Sequence, residues 1–304
     1  MKLRNMRRHL EEGQRRYQRK CKVPCSFSPG SSGTLSSADE DPSEWLSVIK
    51  RIKPSSENIA TIRTAMEKTF NHRRNWISTQ SPTICEITQQ YPRFIDMPFL
   101  LDAEFAKMFD GKGEMLIRRW ETSVIPKLIR IATLEKGSVT SLVDRIPNSN
   151  YDGKCYTMLQ VLTHLLPPSA GRGAVSSRCS VRSAISYLLD FVPCGTRIRS
   201  LCDAGDNATR GQQPQLICIG NLTSEAHQFV IAAKHDKVVI PLEDESLTCA
   251  LDKLFKFYWV YNLVYPPQLA SVFIFLEHVY DLPVSKAARR SKVLELISKL
   301  QALA

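Results

Sequence analysis

The spacing of apolar residues predicts a helical first half of the chain. Apolar residues recur at three- and four-residue steps, for example Ile59, Ile62 and Met66, which is the period of an amphipathic helix. A serine of the Pro54–Glu57 turn is expected to cap one of these helices. The same period predicts helices over 45–52, 57–77, 82–87, 102–109, 114–134, with a kink at Pro126, and 155–166.

The pattern changes in the second half. A helical period continues over Ser180–Val192, and then short apolar runs alternate with turn residues, which is typical of strands. We predict strands over Gln215–Ile219, Gln228–Ala232 and Lys237–Leu242, followed by helices over Leu247–Tyr261, Gln268–Tyr280 and Lys286–Leu303. The expected fold is α+β and predominantly α-helical, with a helical first half and then a small three-stranded antiparallel sheet packed by helices.

Two segments poor in apolar residues predict the domain boundaries. Residues 26–43 contain seven serines, two glycines and two prolines, a composition typical of a disordered linker. Residues 169–178 form a second linker of the same kind. The chain is therefore divided into a basic helical arm (1–25), a linker, an all-helical domain (44–168), a linker, and an α+β domain (179–304), and the two domains either fold separately or pack as one unit.

Composition points to an intracellular protein. Hydrophobic residues make up 43% of the chain, yet no apolar run reaches the roughly 18 residues of a membrane span, and the N-terminus lacks the apolar region of a secretory signal. The nine cysteines are odd in number, which favours reduced thiols. We expect a soluble protein of the cytoplasm or nucleus with no membrane association.

Charge is concentrated at the two ends. The net charge is +11, but residues 1–25 carry nine Lys and Arg against two Glu, and residues 286–299 carry five against one. The remaining residues, 26–285, hold 27 basic and 27 acidic side chains. Three interpretations of the arm stay open: non-specific polyanion binding, a nuclear-localisation signal, or a solvated helix face. The candidate residues are Arg7, Arg8, Arg15, Arg16, Arg19 and Lys20.

Candidate catalytic and metal-binding residues match no known signature. A nucleophile–base pair could in principle form between one of the thiols Cys85, Cys155 and Cys194 and one of the imidazoles His72, His164 and His227. None of these cysteines lies in a nucleophile motif. Cys21 and Cys25 have no second ligand pair downstream, and Cys218, His227, His235 and Cys249 follow no ligand spacing. The sequence therefore predicts no catalytic, cofactor-binding or metal-binding residues, and no cofactor.

One stretch interleaves aromatic and basic residues, a pattern that weakly indicates nucleic-acid binding. It runs from Phe70 to Trp76. In helical register Phe70 faces inward, and Arg73, Arg74 and Trp76 are expected at the rim.

Several of these motifs resemble a known family. Pro54–Ile59, Met66–Arg74 and Tyr91–Phe94 resemble the region downstream of the SAM domain in sterile alpha motif domain-containing protein 3-like proteins. Phe105–Phe109, Leu162–Pro168 and the stretch from Leu254 to Phe275 extend the resemblance over roughly residues 45–300. It implies a regulatory or scaffolding protein with no catalytic residues to transfer. Residues 1–44 are too short and too polar for a SAM domain.

These observations favour a non-enzymatic protein-interaction or regulatory protein with an unidentified protein partner. The alternative is a nucleic-acid-associated protein that binds polyanions through the arm. The oligomeric state stays open.

Overall fold

The computed structural model describes residues 42–135, 138–168, 179–202, 213–223, 227–243, 246–283 and 290–303. The predicted arm, its six basic residues and nearly all of the first linker lie outside the described residues, as does the linker 169–178.

The first half is helical, as the apolar period predicted, although its described residues form ten α-helices where the period predicted six. They are α1 (Pro42–Arg51), α2 (Ile59–Lys68), α3 (Phe70–Gln80), α4 (Ile84–Gln90), α5 (Arg93–Asp96), α6 (Phe99–Met108), α7 (Met115–Arg119), α8 (Ile125–Leu134), α9 (Ser138–Val143) and α10 (Tyr151–Leu165).

Local side-chain bonds set where these helices begin. At α4 the Thr83 hydroxyl accepts from the Glu86 N–H and the Glu86 carboxylate accepts from the Thr83 N–H, which satisfies two backbone donors at once. The predicted serine cap of α2 is wrong. Asn58 precedes the helix, and its Oδ1 accepts from the Ser55 N–H at 2.8 Å, so the serine belongs to a turn that closes before α2 starts.

The predicted long helix over 114–134 contains a π-helical turn at Trp120–Val124, between α7 and α8. Pro126 follows directly, and a proline inside a helix lacks an N–H and clashes with the carbonyl four residues earlier. The wider turn relieves that clash, as π-bulges do. It also places Trp120, which is fully buried, in the core.

The sheet has four strands, and the prediction of three antiparallel strands is wrong in one respect. The strands are β1 (Leu189–Val192), β2 (Gln215–Ile219), β3 (Gln228–Ala233) and β4 (Val238–Pro241), in the order β1-β2-β3-β4. The three predicted strands pair antiparallel, with Leu216 opposite Ile231 and Ile231 opposite Ile240. The added strand β1 pairs parallel with β2.

The added strand comes from the predicted helix over Ser180–Val192. That helix lasts only through α11 (Val181–Ala184) and a 3₁₀ turn at Ile185–Tyr187. Leu189–Val192 then extends, with Leu189 opposite Leu216 and Val192 opposite Ile219. The neighbouring strand supplies backbone partners that the local period cannot reveal, and tertiary pairing of this kind overrides local preference.

Three helices close the chain: α12 (Leu247–Val260), α13 (Ala270–Val279) and α14 (Ser291–Ala302). The Ser246 hydroxyl accepts from the Cys249 N–H and caps α12. Eleven of the fourteen residues of α12 are buried, because the helix lies between α6 on one side and strands β2 and β3 on the other. The other sheet face packs on a 3₁₀ helix at Ile198–Cys202.

One main cluster of buried apolar side chains extends from Ile49 in α1 to Leu300 in α14. The predicted division at 169–178 stays a prediction. Within the described part of the chain, no helix has the length and apolarity needed to cross a bilayer.

Candidate functional site

A buried carboxylate lies between two arginines where α3 meets α6. Glu104 Oε1 is 2.9 Å from Arg73 Nε and 2.8 Å from Arg74 Nε, and Glu104 Oε2 contacts Arg73 Nη2. Arg73 is completely buried and Glu104 is 4% exposed. We call these three residues the arginine cluster. Since guanidinium groups keep their proton in proteins, the cluster holds two positive charges against one negative.

Arg73 also donates to groups at the end of α2 and at its junction with α3. Nη1 donates to Thr69 Oγ1 at 2.9 Å and Nη2 donates to the Met66 carbonyl at 3.0 Å. The guanidinium also lies over the rings of Tyr91 and Phe94, at 4.9 and 5.5 Å. A cation over an aromatic face is attracted to the ring, so the charge is fully enclosed by partners.

Arg74 connects the cluster to α12. Its Nη2 donates to the Val260 carbonyl at 2.7 Å, at the C-terminal end of that helix, where a positive charge complements the helix dipole. Burial lowers the pKa of Arg74, and the neighbouring Glu104 opposes that shift. The cluster therefore fixes three helices, α3, α6 and α12, at one point.

A second charged network involves Asp102, two residues before Glu104 on α6. The Asp102 carboxylate contacts Lys253 and lies 2.7 Å from Lys256 Nζ, both on α12. Lys256 also lies 2.5 Å from Asp252, which accepts from the Tyr280 hydroxyl. Burial, and then the adjacent Lys256, lower the pKa of Lys253 to about 8. The side chains of Lys253 and Lys256 are 12% and 5% exposed, so this network joins helices. None of its residues lines either of the two clefts described below.

Cys155 and His227, one of the thiol–histidine pairs considered from the sequence, both lie near Asp152. His227 Nε2 lies 3.0 Å from Asp152 Oδ2, and Asp152 Oδ1 accepts from the Leu247 N–H at the start of α12. Burial raises the pKa of the Cys155 thiol to about 12, with Asp152 adding to the shift. A nucleophilic cysteine needs its pKa lowered, so Cys155 is a packed thiol in this fold.

Glu277 is a buried carboxyl on α13. Burial raises its pKa to about 7, and the hydrogen bond from Tyr265 opposes part of that shift. The ordinary value for such a group is 4.5. The folded protein therefore keeps this proton to a higher pH than the unfolded chain does.

Two surface clefts meet at His164, near the end of α10. The first, which we call the arginine cleft, has a volume of about 350 Å³. It lies between α9, α10 and α11 and is lined by Ser141, Leu142, Arg145, Gln160, His164, Val181, Arg182 and Ile185.

The second, which we call the lysine cleft, has a volume of about 280 Å³. It lies between α8, the start of α9 and α14, and is lined by Ile131, Glu135, Val139, His164, Leu165, Lys292, Glu295, Leu296 and Lys299. Both volumes are near the lower end of the range for ligand sites. Both clefts are lined by His164 and by apolar and charged side chains, and we refer to the two together as the groove.

The predicted rim position is wrong for Arg73, which is completely buried. Arg74 and Trp76 are half-buried; Arg74 donates to a backbone carbonyl, and the centroid of the Trp76 ring lies 6.1 Å from that of Tyr91. The anion that makes this burial tolerable, Glu104, is about thirty residues away in the sequence, so the local pattern gave no signal for it.

The remaining sequence candidates are not brought together. Cys194 is exposed, and Cys85 accepts from Gln89 in its own helix. Among the described residues, no three His, Cys, Asp or Glu side chains form a metal-binding group. Cys21 and Cys25 lie outside the described residues. The groove was not predicted, because its walls come from segments far apart in the sequence.

Comparison with known proteins supports the resemblance over part of the chain. The family model for the helical domain of sterile alpha motif domain-containing protein 3 matches residues 43–97, which include α2 to α5 and nearly all of α1. This confirms the predicted resemblance for that segment, whose Arg73 and Arg74 take their carboxylate from outside it. No curated protein and no solved structure matches the chain.

Replacing Glu104 with Gln should lower the free energy of unfolding by about 3 kcal/mol or more, because two buried guanidinium groups lose their anion. Urea denaturation measures the change. The matched control is Glu67→Gln, which removes an exposed pair with Lys107 at 3.6 Å and should cost less than about 0.5 kcal/mol. Equal, small losses in both variants would contradict the role assigned to Glu104.

Ionisation of Glu277 should reduce stability as pH rises. Between about 4.5 and 7 the unfolded chain loses this proton first, so the free energy of unfolding should fall over that window by about 3 kcal/mol relative to Glu277→Gln. Urea denaturation of both proteins from pH 4 to pH 8 measures the difference. Glu57→Gln, at an exposed glutamate, should give a profile parallel to the wild type, and a parallel profile for Glu277→Gln would refute the assignment.

Proposed function

We propose that this chain is a non-enzymatic protein-interaction or regulatory protein of the cytoplasm or nucleus, and that it binds a partner protein in the groove beside His164. The observation that carries this proposal is the anatomy of the groove. Apolar residues such as Leu142, Ile185 and Leu296 form its floor, and charged residues lie along its sides. An apolar centre with a polar rim is the composition of protein interfaces.

Three features support the proposal. The charged networks around Glu104 and Asp102 are occupied in joining helices, and Cys155 has a raised pKa, so the most perturbed groups have structural partners. The match of residues 43–97 is to a helical domain. No disulfide bond joins the seven described cysteines, as expected for a protein of a reducing compartment.

Substituting Ser141 with Trp tests this function. Ser141 is exposed and lines the arginine cleft, so an indole there should obstruct the groove without entering the core. Thr140→Trp is the matched control, since Thr140 is the exposed neighbour on α9 that does not line either cleft. Proteins captured from cell extract by the wild type and by Thr140→Trp, but lost with Ser141→Trp, are the expected partners.

A binary measurement completes the test. For a captured protein, isothermal titration calorimetry with purified components should give a Kd at least tenfold higher for Ser141→Trp, a loss of about 1.4 kcal/mol. Identical captured sets for the two tryptophan variants, or an unchanged Kd, would overturn the proposal.

A second candidate function is polyanion binding by the basic arm. It is supported by the charge distribution, since residues 1–25 are strongly basic and residues 26–285 are neutral. A short cationic arm on a neutral body can neutralise several phosphates without base-specific contacts.

The full chain should bind duplex DNA and single-stranded RNA with a steep dependence on salt. Six phosphate contacts lower affinity by roughly a thousandfold from about 50 to about 200 mM salt. Residues 26–304, and a full chain with Arg7, Arg8, Arg15, Arg16, Arg19 and Lys20 changed to Gln, should not bind in a fluorescence-anisotropy titration. Absence of binding by the unmodified chain, or equal binding by all three proteins, would refute this function.

A further inference from the structure

Among the described residues, no acidic side chain neutralises the positive charge of the arginine cleft. Arg145 and Arg182 are exposed and line the cleft from different segments, Arg145 from the turn after α9 and Arg182 from α11. Neither guanidinium has a hydrogen-bond or ion-pair partner among the described residues, and no carboxylate occurs among the residues lining this cleft. Arginine binds carboxylates in a two-point, planar geometry, so an external anion is the missing partner.

The floor between the two arginines is apolar. It consists of Leu142, Val181 and Ile185, with Gln160 and His164 half-buried beside them. Burial lowers the pKa of His164, so its imidazole is neutral at pH 7 and the charge comes from the arginines alone. A ligand must therefore present apolar groups to the floor and anionic groups to the rim.

The lysine cleft, which shares His164, is balanced in charge. Lys299 Nζ lies 2.9 Å from Glu295 and 3.6 Å from Glu135, and Lys299, with a smaller contribution from Lys292, lowers the pKa of Glu295. Its floor includes Ile131, Val139, Leu165 and Leu296. Both clefts thus include apolar lining residues, and the cations without a partner among the described residues belong to the arginine cleft.

We propose that this groove binds an acidic, amphipathic segment of a partner protein, with its carboxylates on Arg145 and Arg182 and its apolar side chains on the floor of both clefts. The inference rests on the proposed function and assigns the chemistry of its partner. A peptide fits better than a nucleic acid, because the groove offers two free cations and a floor without exposed aromatic rings, whereas nucleic-acid sites combine many cations with stacking platforms.

The test uses a synthetic fluorescent helical peptide with leucines at every third and fourth position and glutamates between them, titrated against the full chain by anisotropy. Arg145→Glu with Arg182→Glu should weaken binding at least tenfold, since charge-assisted hydrogen bonds are lost and repulsion is introduced. The matched control, Arg197→Glu with Arg199→Glu, makes the same net charge change at exposed arginines outside both clefts and should change Kd less than about twofold. The same peptide with every glutamate replaced by glutamine should bind the wild type as weakly as the original peptide binds the cleft variant.

Each outcome separates this inference from the proposed function. Equal binding of the glutamate and glutamine peptides, or equal loss in both double variants, overturns the inference. If Ser141→Trp abolishes capture of a natural partner while Arg145→Glu with Arg182→Glu leaves its Kd unchanged, the function stands and the acidic ligand is wrong. If duplex DNA binds the groove in place of the peptide and loses affinity in the cleft variant alone, the occupant is a nucleic acid and the inference is also wrong.

Discussion

The architecture of the helical half depends on one carboxylate. Glu104 lies between Arg73 and Arg74 in the interior, and through them it holds α6 against α3 and, by way of the Val260 carbonyl, against the end of α12. A buried ion pair adds little net stability, because desolvation offsets most of the attraction, but removal of one partner leaves a charge that the interior cannot solvate. The cluster therefore determines which helices pack together more than how tightly they do so.

The other acidic residue of helix α6, Asp102, also forms charged contacts with a neighbouring helix. Asp102 contacts Lys253 and Lys256 on α12, while Glu104 contacts the arginines of α3. A single short helix thus connects the segment matched by the family model to the aromatic core around α12. The ring centroid of Phe105 lies 6.2 Å from that of Phe255 and 5.4 Å from that of Tyr280. Charged contacts fix the alignment of the helices, and the aromatic contacts supply the buried apolar area.

Sequence patterns predicted the parts of the fold that are encoded locally. The helices of the first half and those that follow the sheet depend on neighbours within a few residues, and their presence was predicted correctly. Strand β1 was missed because its partner β2 lies more than twenty residues later. The position of Arg73 and the groove were missed for the same reason, since Glu104 lies about thirty residues from Arg73 and the walls of the groove come from segments far apart in the sequence.

The arginine cluster also bears on how modular the matched segment is. Residues 43–97 are similar to a named domain, yet the carboxylate that neutralises their two buried cations lies at position 104. The matched segment therefore ends before the carboxylate that neutralises its buried arginines. If this segment were fused to another protein, the fusion would need either to include α6 or to place an acidic residue of the other protein beside the two arginines.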